Sequence, residues 1–302
     1  MTYVNPGGEY VRIHGLPTGV EDVMRYAAFL RSEAGLSDEP PIDLARIYEK
    51  FSIPVPRRAE LPGQQGLLLN PNTGLIIINE TEIETRQLFT EAHELMELMF
   101  SEMPGGNSWA ARDDGKFKRG KKEALCNRGA AELLMPRSSF LLRVMERGVS
   151  IGTAYDLAKG YKVSPTAALV NMARVGHGEH TVVLWQHRHK PSELKKMSSG
   201  DQLSLYGGAA GAAPPKRLRV AWSIGKDGAP YVPPHKSVEE SSSIYRAWET
   251  KLDNEGVDYL QLGPLSGRCT CENHTEEVEG QQVVLSLLHL PGDRSCARAP
   301  SI

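Results

Sequence analysis

Cysteine is scarce in this chain: Cys126, Cys269, Cys271 and Cys296 are four residues among 302. The reducing compartment expected for this chain disfavours reading them as the disulfide framework on which small secreted domains rely, and a chain of this length buries a sizeable core without one. Cys269-Thr270-Cys271 with His274 nearby has the residue types of a metal site. The two cysteines are nevertheless too close for a zinc knuckle, and no second pair follows. Long apolar runs are also missing. Nothing approaches the roughly 20 residues needed to span a bilayer, and the opening MTYVNPGGEYVRIHG lacks the basic-then-apolar order of a secretion signal. The expected location is the cytoplasm, away from membranes. An excess of one charge is lacking too: a net charge of -2 gives no overall attraction to nucleic acid. Only local patches remain for such contact, chiefly Lys116-Phe117-Lys118-Arg119-Gly120-Lys121-Lys122, for which a solvated loop is the favoured reading. No internal repeat is present, so a solenoid is excluded.

What is there is an ordinary globular composition, 40% apolar and 24% charged, with length enough for two or three domains. Val23, Met24, Ala27, Ala28 and Leu30 follow helical spacing and predict a helix over 20–32. Pro41-Ile42-Asp43-Leu44 opens another, with proline near the first turn. Gly66-Leu67-Leu68-Leu69 and Leu75-Ile76-Ile77-Ile78 read as strands joined by the turn-forming Asn70-Pro71-Asn72-Thr73-Gly74, a hairpin by composition. From Arg86 to Phe100 the apolar residues Leu88, Ala92, Leu95, Met96 and Met99 share one helical face, with Arg86, Thr90, His93 and Glu97 opposite. A further helix over 122–135 stops at Pro136.

Residues 150–176 read as helix, tight turn, helix, with Ser164 as N-cap, Pro165 in the first helical position and Gly176 as the stop. The second of these helices carries only Asn171 and Arg174 as long polar side chains, too few for ordinary base reading. A structural or partner-docking role is expected, with weak DNA contact through Lys159 and Lys162 as the alternative. After His180 the texture becomes β-rich: 181–185, 218–222 and 283–288 read as strands and 243–252 as a helix, an α+β domain. The stretch 207–213, all glycine and alanine, has too little bulk to pack and reads as a mobile loop. Tyr231-Val232-Pro233-Pro234-His235-Lys236 and Trp185-Gln186-His187-Arg188-His189 gather aromatic, imidazole and cationic groups. They read as the lining of a small-ligand pocket or as solvated strand ends.

The residues that point to chemistry are His93-Glu94-Leu95-Met96-Glu97. Two potential ligands four residues apart lie one turn apart on a helix and can converge on one ion, with Glu94 at a neighbouring angle. In zinc peptidases built on H-E-x-x-H, two histidines hold the metal and the intervening glutamate is the general base for the attacking water. Here Glu97 stands in place of the second histidine, and a solvated His-Glu pair is the competing reading of the motif taken singly.

The surroundings change that balance. Arg86-Gln87-Leu88-Phe89-Thr90-Glu91-Ala92-His93-Glu94-Leu95 resembles the R-x-x-F-T-x-A-H-E-L signature of the ImmA/IrrE family of metallopeptidase-like proteins, and the stretch from Glu123 to Met135-Pro136 is similar to its E-x-x-A-N-x-F-A-A-x-L-L-M-P element. Cys126 replaces the family's alanine and Gly129 its phenylalanine, both read as changes in packing. The resemblance implies a third metal ligand in Glu123, for which the competing reading is a solvated glutamate in the first turn of a helix. It implies a zincin-like metallopeptidase domain over 1–145, a helix-turn-helix-like unit over 146–178 and a GAF-like α+β sensor domain over 179–302, the order of IrrE-type regulators of the radiation response. The implied function is metal-dependent cleavage of a helix-turn-helix transcriptional repressor, which derepresses stress-response or mobile-element genes. The roles implied are Glu94 as general base and His93, Glu97 and Glu123 as ligands of zinc. A set with two carboxylates and one imidazole is harder and more anionic than the usual one, so it admits Mn2+ or Fe2+ and weakens water activation. Three outcomes stay open: an active peptidase with altered metal preference, a weak one, or a metal-free pseudo-peptidase acting as a regulator or ligand-sensing adaptor.

Overall fold

A computed structural model of the chain describes residues 2–102, 119–194, 215–278 and 280–290. The basic segment's Lys116 to Lys118, the 207–213 stretch and Cys296 lie outside these residues, as do the side chains of 119–121. The chain divides into two compact units, one made of 1–147 with 154–168, the other of 148–153 with 169–302.

The first unit contains helices α1 (Pro6–His14), α2 (Val20–Glu33), α3 (Leu44–Phe51), α4 (Glu84–Ser101), α5 (Arg119–Leu134) and α6 (Arg137–Arg147), and strands β1 (Arg57–Ala59), β2 (Gly66–Asn70) and β3 (Leu75–Asn79). The residues expected to start α3 do so through Asp43, whose carboxylate accepts the Ala45 N–H, with Pro41 two residues earlier. The hairpin is present as the antiparallel β2–β3 pair, and β1 adds parallel to β3, giving the order β1-β3-β2. β2 is therefore an edge strand. Asn79 closes the loop that leads into it: its amide donates to the Leu61 and Gln64 carbonyls and its oxygen accepts from the Leu61 and Thr81 N–H groups.

The core lies between α2, α3, the sheet and α4, where Tyr26, Leu30, Ile47, Phe51, Ile76, Ile78, Leu95 and Met99 are all buried. Each such side chain contributes about 1.5–3 kcal/mol. α4 is covered more completely than its apolar stripe suggests. Thr90, expected on the polar side, is buried and returns its hydroxyl to the Arg86 carbonyl, and buried Glu91 accepts from Tyr48 of α3 and Arg58 of β1. Two glycines allow the close approach. A Cβ on Gly7 would stand 2.3 Å from the Leu98 carbonyl oxygen, and one on Gly129 2.5 Å from Met96 Sδ and 2.6 Å from Val23 Cγ1. The family's phenylalanine has no room at 129.

Helices α7 (Ile151–Tyr161) and α8 (Pro165–Val175) form the expected helical pair, with Ser164 Oγ accepting the Ala167 N–H and the Gly176 N–H closing on Met172. Asn171, one of the two long polar side chains expected on the second helix, is buried and not available to a base edge.

The second unit is built on one antiparallel sheet of β4 (His180–Arg188), β5 (Arg217–Gly225), β6 (Asn254–Leu262), β7 (Leu265–Val278) and β8 (Gln281–His289) in the order β5-β4-β8-β7-β6, with helix α9 (Ser243–Thr250). Trp185, Leu218, Ile244, Leu260, Val284 and Leu288 form its core. Cys269 and Cys271 alternate onto the buried face of β7, so both thiols pack in this core. His274 lies on the other face, bonded to Asp253. Strand alternation thus separates the residues of the Cys-Thr-Cys metal reading. Among the described residues no helix is long and apolar enough to cross a membrane.

Candidate metal centre

His93, Glu94 and Glu97 on α4 face Lys122, Glu123, Cys126 and Asn127 on α5, which line or adjoin a cavity of about 1000 Å3 bounded on its other side by β2. Asn127 fixes the imidazole. Its Oδ1 lies 3.1 Å from His93 Nδ1, where an amide oxygen accepts from that nitrogen and the ring turns Nε2 into the cavity. Nε2 is 3.8 Å from Glu97 Oε1 and 3.5 Å from Glu123 Oε2. Cys126 Sγ lies 3.4 Å from Glu97 Oε1, and the ligand atoms of His93, Glu97 and Cys126 all fall within 4.8 Å of one another. Glu123 stands outside that tight group, half-exposed and close to His93. The other oxygen of Glu97, Oε2, receives the Lys122 ammonium.

This donor set fits a divalent cation. The His93–carboxylate separations are near those of ligands sharing one tetrahedral ion, which stand roughly 3.3–3.4 Å apart when each is about 2.0–2.1 Å from the metal. Imidazole, carboxylate and thiol are all zinc ligands, and the thiol adds a soft donor that the His-Glu-Glu set lacks.

Glu94 is buried against the sheet, and its carboxyl is pushed up to about 8. Burial is the largest cause, with the Glu97 and Glu123 carboxylates adding to it and the Leu68 N–H and Lys122 opposing. The Leu68 bond ties this carboxyl to the edge strand. Gly66 on the same strand passes so close that a Cβ there would lie 2.4 Å from Thr90 Cγ2 and 3.3 Å from Glu94 Oε1. Burial, and then the Glu97 carboxylate, push the Cys126 thiol up, so Cys126 is a neutral S–H donor to Glu97.

All four residues singled out in the sequence thus lie around one cavity. Lys122, Cys126 and Asn127 join them at the site and were not among them. Cys126 had been taken for a packing change, and it is fully buried as that reading requires while also touching Glu97. Lys122 was assigned to the basic segment, yet it turns inward. The only sequence signal for either was helical spacing, since Lys122, Glu123, Cys126 and Asn127 recur at three to four residues on one face.

A helix bearing His-Glu, a second helix bearing further donors and an edge strand along the cleft make up a zincin-like domain. Residues 50–172 match the family model described as the IrrE N-terminal-like domain, peptidase M78. A solved Mycobacterium tuberculosis transcriptional regulator has a similar fold, with a TM-score of 0.54 over 94% of this chain and 81% of that one. At 10% identity the likeness is one of fold. No curated protein matches the sequence.

Proposed function

We propose that the chain is a regulatory metalloendopeptidase that cuts a helix-turn-helix transcriptional repressor and so releases stress-response or mobile-element genes. The observation that carries this reading is the orientation of His93: Asn127 holds Nδ1, and Nε2 turns toward Glu97 and Glu123 in the cavity that also holds Glu94. In this reading His93, Glu97 and Glu123 hold the ion, zinc first and Mn2+ or Fe2+ as alternatives, with Cys126 close enough to join them. A divalent cation supplies Lewis-acid polarisation and water activation in such a site. The chain's own residues supply the rest. Glu94 accepts and returns the proton. β2, paired with β3 on one side only among the described residues, offers its other edge to an extended substrate segment by strand addition, with Leu67 and Leu69 exposed beside it.

The assignment divides the chain into a peptidase domain over 1–145, a helix-turn-helix-like unit over 146–178 that docks partners, and a GAF-like sensor domain over 179–302, in a cytoplasmic protein. Incubation of a co-encoded helix-turn-helix repressor with the purified chain and Zn2+ or Mn2+ tests it. Cleavage that disappears in Glu94→Gln supports the reading, and cleavage retained in that variant contradicts it.

One observation favours a second reading, in which the chain is a non-catalytic regulator or ligand-sensing adaptor. The Lys122 ammonium already neutralises Glu97, so the cluster is electrostatically satisfied in part by a residue of the chain. That reading requires that no repressor be cut with either metal and that Glu94→Gln leave regulation unchanged.

A further inference from the structure

Cys126 brings a thiol from α5 to the pair of donors on α4. Its Sγ lies 3.4 Å from Glu97 Oε1, and His93 Nε2 lies 3.8 Å from that same oxygen, with all three ligand atoms within 4.8 Å of one another. A point equidistant from the three therefore lies at most about 2.4 Å from each, against roughly 2.0–2.3 Å for zinc bonds to nitrogen, oxygen and sulfur. An ion placed there is within bonding reach of the sulfur although Cys126 is fully buried. His93 and Glu97 line the cavity, so the ion arrives from their side and the thiol meets it from the covered side.

A fourth donor stands one helical turn away. Glu123 and Cys126 are three residues apart on α5 and share a face of that helix, and Glu123 Oε2 lies 3.5 Å from His93 Nε2. One imidazole, two carboxylates and one thiol from two helices are the number of donors in a tetrahedral centre with no open position. The charges agree. With the thiol proton released to water on binding, three anionic donors face a divalent cation, and the Lys122 ammonium on Glu97 Oε2 makes the sum neutral.

We propose that Cys126 is a metal ligand, and that His93, Glu97, Glu123 and Cys126 together close the centre around one ion of the zinc class. The S–H bond is exchanged for a sulfur–metal bond and the proton goes to solvent. A thiolate is a soft donor, so it selects Zn2+ over Mn2+, which the three harder ligands by themselves do not. The inference rests on the metal-binding part of the function proposed above and concerns its regulation. A peptidase keeps one coordination position open; here the thiol takes that position, so the centre at rest is closed and turnover requires that a donor leave.

Titration of the metal-free full chain with Co2+, read by absorption, tests this. A sulfur-to-cobalt charge-transfer band in the near ultraviolet is expected to saturate at one ion per chain, with the strong visible bands of a four-coordinate ion. Cys126→Ala, which installs the family's residue, should still bind one ion but lose the charge-transfer band. It should also hold Zn2+ about tenfold or more weaker, with the affinity for Mn2+ little changed. Co2+ that binds in the wild type and is lost in His93→Ala, yet shows no such band, would overturn the assignment and leave the metal centre standing. A band that survives in Cys126→Ala, or equal Zn2+ affinity in variant and wild type, would overturn it in the same way. Absence of saturable Co2+ binding in the wild type would remove both the assignment and the centre.

Discussion

The Lys122 ammonium is seated on Oε2 of Glu97, while Oε1 of the same carboxylate faces His93 Nε2 and Cys126 Sγ. One carboxylate thus meets a cation through one oxygen and the neighbouring candidate ligands through the other. The pairing also answers the charge problem of Glu97. Two carboxylates, one imidazole and one ammonium carry the same net charge as the two imidazoles and one carboxylate of the common motif. The expectation of a more anionic centre holds for the three ligands and not for the centre with Lys122 included.

Removing that ammonium leaves Glu97 nearly buried and uncompensated beside Glu94 and Glu123. Lys122→Met is expected to destabilise the metal-free chain by about 3 kcal/mol. An added divalent cation can then take the ammonium's place, so thermal melts with and without Zn2+ should show a larger metal-induced gain in the variant than in the wild type. An equal gain in both would separate Lys122 from the site.

Glu94 gives the metal-free chain a pH dependence with a definite sign. Its folded pKa, about 8, lies above the ordinary carboxyl value of 4.5. The folded state therefore holds a proton that the unfolded state has released, and the stability contributed by the protonated carboxyl is full below about 4.5 and is lost as pH rises through about 8. The loss is on the order of 5 kcal/mol. Denaturant titrations between those limits should show a slope in the wild type that Glu94→Gln lacks, and identical slopes would contradict the assignment.

Asn127→Ala frees the His93 ring to turn and to place its proton on either nitrogen. A fall of about 10- to 100-fold in metal affinity is expected, with Asn127→Asp retaining most of the affinity because it still accepts from Nδ1. Competition with a chromophoric chelator measures both.

Gly129→Phe restores the family's residue and is expected to cost about 3 kcal/mol or more, since even a Cβ at 129 meets Met96 and Val23 at 2.5–2.6 Å. A variant with unchanged stability in chemical denaturation would show that α5 can withdraw from α4 and α2 at little cost.

Much of this was legible in the sequence, and the exceptions have physical causes. The hairpin, α4, α5 and the α7–α8 pair follow from apolar periodicity and from caps such as Asp43 and Ser164. The strands β6 and β7 were missed because acids and short polar residues alternate through both, and β6 leaves Val257 and Tyr259 exposed at the sheet edge. α1 begins at Pro6-Gly7-Gly8, which reads as a turn; its helix is held by Asn5 as N-cap and by the contact with α4 that only glycine at 7 permits. At the site, His93, Glu94 and Glu97 were visible through the motif. The inward turn of Lys122 was not, because a lysine beside other basic residues reads as solvated until its carboxylate partner on another helix is known.

The central claim is that α4 and α5 hold a divalent ion through His93, and metal analysis of the purified chain tests it most directly. About one equivalent of zinc, manganese or iron in the wild type, lost in His93→Ala while the fold is retained by circular dichroism, is the expected result. Equal metal content in the two proteins would contradict it.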